Sequence, residues 1–230
     1  MDIPSSWLTA GSNPEVWGRA GTYKTIPYDL LPPLSGQRDG SFSWLRAVPP
    51  PRYGMSFEQL EEGAAEKLLR ERVEEARRLD LSVPREFVRF LTDEDLYGRV
   101  PSCTACYYDI GSRLVTIPDY EGPERLLRFM NDQQAVYLWY LLLEPGGKHR
   151  VVFARPEEED YPRGKLFEDA VVPRDLRKCA WSFEEFIRRF WIENTLWYAV
   201  NKGEKIEGEL REYARAAKAA AANMGDAVTP

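Results

Sequence analysis

The stretch AVYLWYLLL, Ala135 to Leu143, sets nine apolar residues in an unbroken row between the polar NDQQ (131–134) and the turn Pro145-Gly146-Gly147. A membrane-spanning helix needs roughly 20 such residues, so the run is too short to cross a bilayer. Read as a strand, it alternates its side chains between two faces. Ala135, Tyr137, Trp139, Leu141 and Leu143 share one face, and Val136, Leu138, Tyr140 and Leu142 share the other. Both faces are apolar, so both need cover. The run predicts a central strand reaching Glu144, with helices on one face and the aromatic N-terminal segment on the other.

The neighbouring segments fill in the sheet. ACYYDI (Ala105–Ile110) and RLVTIP (Arg113–Pro118) flank Gly111-Ser112, a two-residue hairpin signal. GPERLLRFMND reads as a helical turn or short helix, and HRVVFA (His149–Ala154) as the strand after the Pro-Gly-Gly turn. The patterns give about three to five antiparallel strands joined by short turns.

Helices bracket them. Ser56 and Gln59 form a capping box ahead of Leu60, Ala64, Leu68, Leu69, Val73 and Ala76, which recur near the helical period. SVPREFVRFL predicts a second helix, with Ser82 as cap, Pro84 in the first turn, and Phe87, Phe90 and Leu91 on one side. WSFEEFIRRFWIENTLWYAV predicts a long one. Ser182 and Glu185 make its capping box, Trp181 and Phe186 a hydrophobic staple, and Phe183, Phe186, Ile187, Phe190, Trp191 and Trp197 its apolar stripe. An Ala-rich helix over Lys205–Ala222, anchored by Ile206, Leu210 and Tyr213, is expected to dock weakly or project.

Residues 1–54 are broken too often by Pro and Gly for long helices, yet carry Trp7, Trp17, Tyr23, Tyr28, Phe42 and Trp44. This predicts an arm, 1–54, whose rings pack on a domain spanning 55–204, followed by the Ala-rich helix and tail, 205–230. The alternative is a partner-docking arm.

A net charge of −6 lacks the basic stripe that displaces counterions from phosphates, which argues against direct nucleic-acid binding. Residues 1–20 show no basic start followed by an apolar stretch, and three cysteines are too few and odd in number for a disulfide framework. Both fit a reducing, cytoplasmic setting. Catalytic groups are scarce. His149 is the sole histidine and reads as a surface turn residue. Cys103 and Cys106 have metal or redox spacing, but only the remote Cys179 and His149 could complete a zinc set. No phosphate-binding glycine loop is present. Asn194 falls in the apolar stripe and, if buried, needs hydrogen bonds. These features predict no enzyme and no cofactor.

The order of elements, with VPREF-x-x-F and the closing SFEEF, resembles the SUKH superfamily over roughly residues 56–200. Val83, Pro84, Phe87 and Phe90 match its helix-opening motif, with Val for the usual Leu, and Ser182, Phe183 and Phe186 match its closing helix. The Asn-Gly that commonly follows the first motif is replaced by DEDLYGRV. The resemblance implies an α+β fold with helices packed around a curved antiparallel sheet of about four to six strands. It also implies a protein of the bacterial immunity type, neutralising a cognate toxin, often a nuclease, by stoichiometric binding. The family offers no fixed catalytic residue to carry over. Expected contacts with a basic nuclease cleft are the carboxylates Glu157, Glu158, Glu159 and Asp160, and Glu62 and Glu66 on the first long helix. The alternatives are a regulatory scaffold and, less favoured, a zinc- or thiol-dependent enzyme.

Overall fold

A computed structural model describes residues 2–9, 23–36, 38–57, 63–134, 136–156 and 175–225, without the side chains of 221–225. In chain order these form β1 (Ser6–Leu8), β2 (Thr25–Pro27), α1 (Ser43–Arg46), α2 (Ala64–Arg78), α3 (Arg85–Thr92) and α4 (Glu94–Tyr97). There follow β3 (Tyr107–Tyr108), β4 (Arg125–Asn131), β5 (Leu138–Leu143), β6 (His149–Ala154), β7 (Arg177–Ala180), α5 (Phe183–Lys202) and α6 (Gly208–Gly225).

Among the described residues, β3 to β7 make a five-stranded antiparallel sheet in sequential order, and β1 pairs with β2 in a separate hairpin. With helices on the sheet, the class is α+β. The register shifts at Arg128/Met130 and at Val151/Val152, irregularities of the kind that bend and twist a strand. The apolar run supplies β5 at the centre, with Leu141 opposite Leu127 on one side and Val151 on the other. All six of its residues are buried. Trp139, Leu141 and Leu143 join the core beneath the helices. Leu138, Tyr140 and Leu142 join a second cluster with Ile3, Val115, Ile117, Leu126, Val152 and Leu176.

The structure corrects several local expectations. β5 starts at Leu138 because Asp132 folds the beginning of the run into a turn. Its Oδ1 accepts from Val136 N (2.6 Å) and Tyr137 N (3.3 Å). Ala135 lies outside the described residues. RLLRFMN is a strand, β4, and not a helical turn. It is buried on both faces, so it lacks the alternation by which a half-exposed strand is recognised. The Gly111-Ser112 hairpin does not form, because both of its halves pair with β4. Tyr107 lies opposite Asn131, Gly111 N donates to Arg128 O (3.0 Å), and Val115 bridges Leu126. The intervening loop is held by α2: Arg72 Nη1 donates to Gly111 O (3.4 Å) and Leu114 N to Glu75 Oε1 (3.0 Å).

The described rings of the N-terminal segment lie mainly on the helix side of the sheet and not opposite it. Trp7, Leu8, Phe42 and Leu45 share the core of Phe183 and Phe186, whereas Ile3 reaches the other cluster. The indole N–H of Trp7 requires an acceptor once buried, and finds it on α5 in Glu193 Oε1 at 2.9 Å. The same segment closes the sheet edges. Ser5 bridges Lys178 on β7, and Phe57, three residues beyond the expected arm, bridges Tyr108 on β3.

α2 begins at Ala64 behind Gly63, whose positive φ of 79° suits glycine. Ser56 is not its cap, since Ser56 O accepts from Tyr108 N as the chain runs along β3. Gln59 lies outside the described residues. Pro84, not Ser82, holds the N-cap position of α3, and Phe87, Phe90 and Leu91 are buried as the sequence predicts. On α5, Ser182 Oγ accepts from Glu185 N (3.2 Å), as a capping serine should. The staple is absent: Trp181 is 54% exposed, with Lys178 Nζ 3.5 Å from its ring centroid. Leu196 is buried where Trp197 is half-exposed. α6 docks through buried Tyr213 and Ala217. No helix among the described residues is long and apolar enough to cross a membrane.

Candidate functional site

α5 is interior on two flanks of opposite character. One carries Phe183, Phe186 and Phe190, which meet Phe129 and Trp139 of the sheet. The other carries Glu184, Arg188, Arg189 and Glu193, all buried. Buried charges are tolerable only when paired and hydrogen-bonded, and these are. Glu193 Oε1 accepts from Trp7 Nε1 (2.9 Å) and Tyr213 OH (2.8 Å). Arg189 Nη1 donates to Pro32 O (3.0 Å) and Tyr213 OH (3.2 Å). Burial works against the Arg189 charge, but Tyr213 and Glu193 outweigh it and hold its pKa above the ordinary value. Glu184 accepts from Gly40 N (2.6 Å) and Trp44 Nε1 (2.9 Å), and Arg188 pairs with Glu209 of α6. Asn194 meets its requirement through Cys103 N (2.7 Å) and Phe190 O (2.9 Å).

Nearer its C-terminal end the outer surface of α5 is only partly covered. Trp191, Thr195, Tyr198 and Lys202 stand at helical spacing in one stripe and form the floor of a groove of about 570 Å³. That volume lies in the range of about 300–1,000 Å³ typical of ligand sites. Pro49, Pro50, Pro51, Arg52 and Tyr53 make one wall, and Leu210 of α6 closes the far side. The proline wall is stiff, because each ring fixes φ. It is also anchored: Arg99 Nη1 donates to Val48 O (2.6 Å) and Met55 N to Val100 O (2.8 Å). Gly54 passes so close to α4 that a Cβ there would sit 1.7 Å from Gly98 O. Tyr198 OH is held by Ser102 O at 2.9 Å. Tyr53 stands 63% exposed at the mouth, with the Arg52 guanidinium 5.0 Å from its ring centroid. Arg52 makes no ion pair among the described residues, whereas Lys202 is paired with Glu204 at 3.7 Å.

The residues singled out by sequence fall elsewhere. Glu157, Glu158, Glu159, Asp160 and Glu62 lie outside the described residues. Glu66 is exposed in the first turn of α2. Along that helix four glutamates (66, 71, 74, 75) accompany five Lys or Arg (67, 70, 72, 77, 78), so its charge is mixed. Cys103, Cys106, Cys179 and His149 do not converge. Cys106 adjoins β3 and Cys179 lies on β7, at opposite edges of the sheet. Four strand spacings of about 4.8 Å separate those edges by about 19 Å. Among the described residues no three His, Cys, Asp or Glu form a group that could hold a metal. Burial pushes the Cys103 thiol up to about 12 and raises those of Cys106 and Cys179. Nucleophilic and metal-bound cysteines need the thiolate, which this environment disfavours.

Cys106 Sγ lies 3.3 Å from Thr104 Oγ1 and 3.6 Å from Tyr23 OH, in a turn that Ala105 makes with φ of 53°. His149 is not a surface turn residue. It opens β6, and its Nε2 sits 3.2 Å from Glu86 Oε1 on α3 and 3.3 Å from Phe183 N at the start of α5. The sequence pattern hides the groove, because Trp191 falls within the apolar stripe of α5. The signal available was the helical spacing of Trp191, Thr195, Tyr198 and Lys202 together with the Pro-Pro-Pro-Arg-Tyr sequence.

No family model matches the chain, and neither a curated protein nor a solved structure matches it.

Proposed function

We propose that the chain is a protein-binding module of the immunity type, which neutralises a cognate bacterial toxin in the cytoplasm by stoichiometric binding. The observation that carries the proposal is the preformed groove on α5, which Trp191, Tyr198, Tyr53 and Arg52 line together with Pro49, Pro50 and Pro51. Trp, Tyr and Arg are the residue types that dominate binding energy at protein interfaces. A wall fixed by prolines and by the Gly54–Gly98 contact loses little freedom on binding, which favours affinity. The buried carboxylates Glu184 and Glu193 and the Arg189 guanidinium are bonded within the fold, which supports a rigid body. Within the resembling region, helices α2 to α4, the antiparallel sheet β3 to β7 and then α5 follow in the order that the SUKH reading expects, helices first, then sheet, then helix.

The test is co-expression. The protein encoded beside this chain in its genome is produced in a heterologous host with and without it. Restored growth and a 1:1 complex by light scattering are expected. Persistent toxicity with no complex, or a neighbour with no toxicity, overturns the proposal.

A further inference from the structure

We infer that the groove between α5 and the proline wall receives an extended segment of the partner, carrying apolar side chains along its length and a carboxylate at the Arg52 end. This rests on the binding reading above and specifies the partner's chemistry.

Length comes first. Trp191 and Lys202 lie eleven residue steps apart on α5, about 16 Å at about 1.5 Å each. An extended chain covers that in about five residues. Rings predominate in the lining: the indole of Trp191, the phenols of Tyr198 and Tyr53, and the prolines. Aromatic-lined grooves suit proline-rich extended segments, whose ordering costs little and whose backbone can stay solvated on the open side.

Charge sets the polarity. The charged lining residues are Arg52, Lys202 and Glu204. Glu204 already answers Lys202 at 3.7 Å. The uncommitted charge is therefore the Arg52 guanidinium, held over the exposed ring of Tyr53. A partner carboxylate placed there gains a charge-assisted hydrogen bond, whereas a basic residue meets repulsion. The groove thus selects an acidic-ended segment, although the chain as a whole is acidic at −6.

The test uses the full-length chain and two blocked, fluorescein-labelled peptides. Both have the same Pro-Leu repeat around one Trp, and they end in two Asp or two Lys. Fluorescence anisotropy should show the acidic peptide binding at least ten-fold tighter. Arg52→Glu should reverse the order, and Thr195→Trp, which fills the floor, should abolish both, with circular dichroism confirming that each variant is folded. Binding of neither peptide, equal binding of both, or an unchanged preference in Arg52→Glu overturns the inference. The co-expression assay separates the two proposals. Rescue that survives Thr195→Trp leaves the immunity reading standing and removes the groove from it. Absence of rescue by the unaltered chain removes the immunity reading, whatever the peptides do.

Discussion

The two flanks of α5 are equally buried and chemically opposite. One meets the sheet through phenylalanines, which need only to be kept from water. The other meets the N-terminal segment and α6 through Glu184, Arg188, Arg189 and Glu193, which need specific partners in specific places. An apolar flank tolerates approximate packing at modest cost. A charged flank is exacting, because losing one partner leaves another charge stranded. The comparison shows how a helix with only a modest apolar stripe becomes the centre of a fold.

The largest expected effect tests whether both flanks are interior. Phe186→Ala should cost about 3–5 kcal/mol in denaturant unfolding. Glu193→Ala should cost a similar amount, about 3–5 kcal/mol, since it takes the acceptor from buried Trp7 and Tyr213 and one of the charges that offset Arg189. A cost under about 0.5 kcal/mol, usual for surface sites, would place Glu193 outside the core and break the comparison. Next, Tyr213→Phe and Glu193→Gln should be non-additive by about 1 kcal/mol or more in a double-mutant cycle, as for contacting groups. Additive behaviour would mean that the polar flank is a set of separate contacts. Ser182→Ala should cost about 1 kcal/mol through loss of the α5 cap alone.

The smallest effect is a change of slope with pH. The hydrogen bond from His149 holds the Glu86 carboxyl below its ordinary value of 4.5, against burial that pushes it up. A carboxyl depressed on folding contributes stability that is complete above the ordinary value and disappears as pH falls through the folded one. Urea melts from neutral pH down to below 4.5 should therefore show a shallower acid-side loss for Glu86→Gln than for the unaltered chain. Parallel slopes would show that Glu86 is not linked to folding.

The sequence displays the apolar flank openly, for Phe183, Phe186, Ile187 and Phe190 follow the helical period. It also displays the central strand, the cap at Ser182 and the α3 core residues. The polar flank is illegible, because Glu and Arg at those positions look like a solvated face. Their partners stand far away in the chain: Trp7 is 186 residues from Glu193, and Trp44 is 140 from Glu184. β4 is hidden by burial on both faces, and the paired halves around Gly111 are hidden because each found β4 before the other. The carboxylates picked as contacts were chosen by charge alone, which does not say where a surface is concave. The groove is assembled from segments remote in the chain, and its local traces are the spacing of Trp191, Thr195, Tyr198 and Lys202 and the Pro49–Tyr53 run, neither of which shows that the two meet.

The bond from Trp7 to Glu193 also sets a timetable. During synthesis at about 5–20 residues per second, the 186 intervening residues take about 10–40 s to emerge. Throughout that interval the first tryptophan has no seat, and Ser5 has no bridge partner until Lys178 of β7 emerges. A nascent chain halted short of α5 must therefore carry its own beginning as exposed aromatic surface, open to chaperones and proteases until the last quarter arrives.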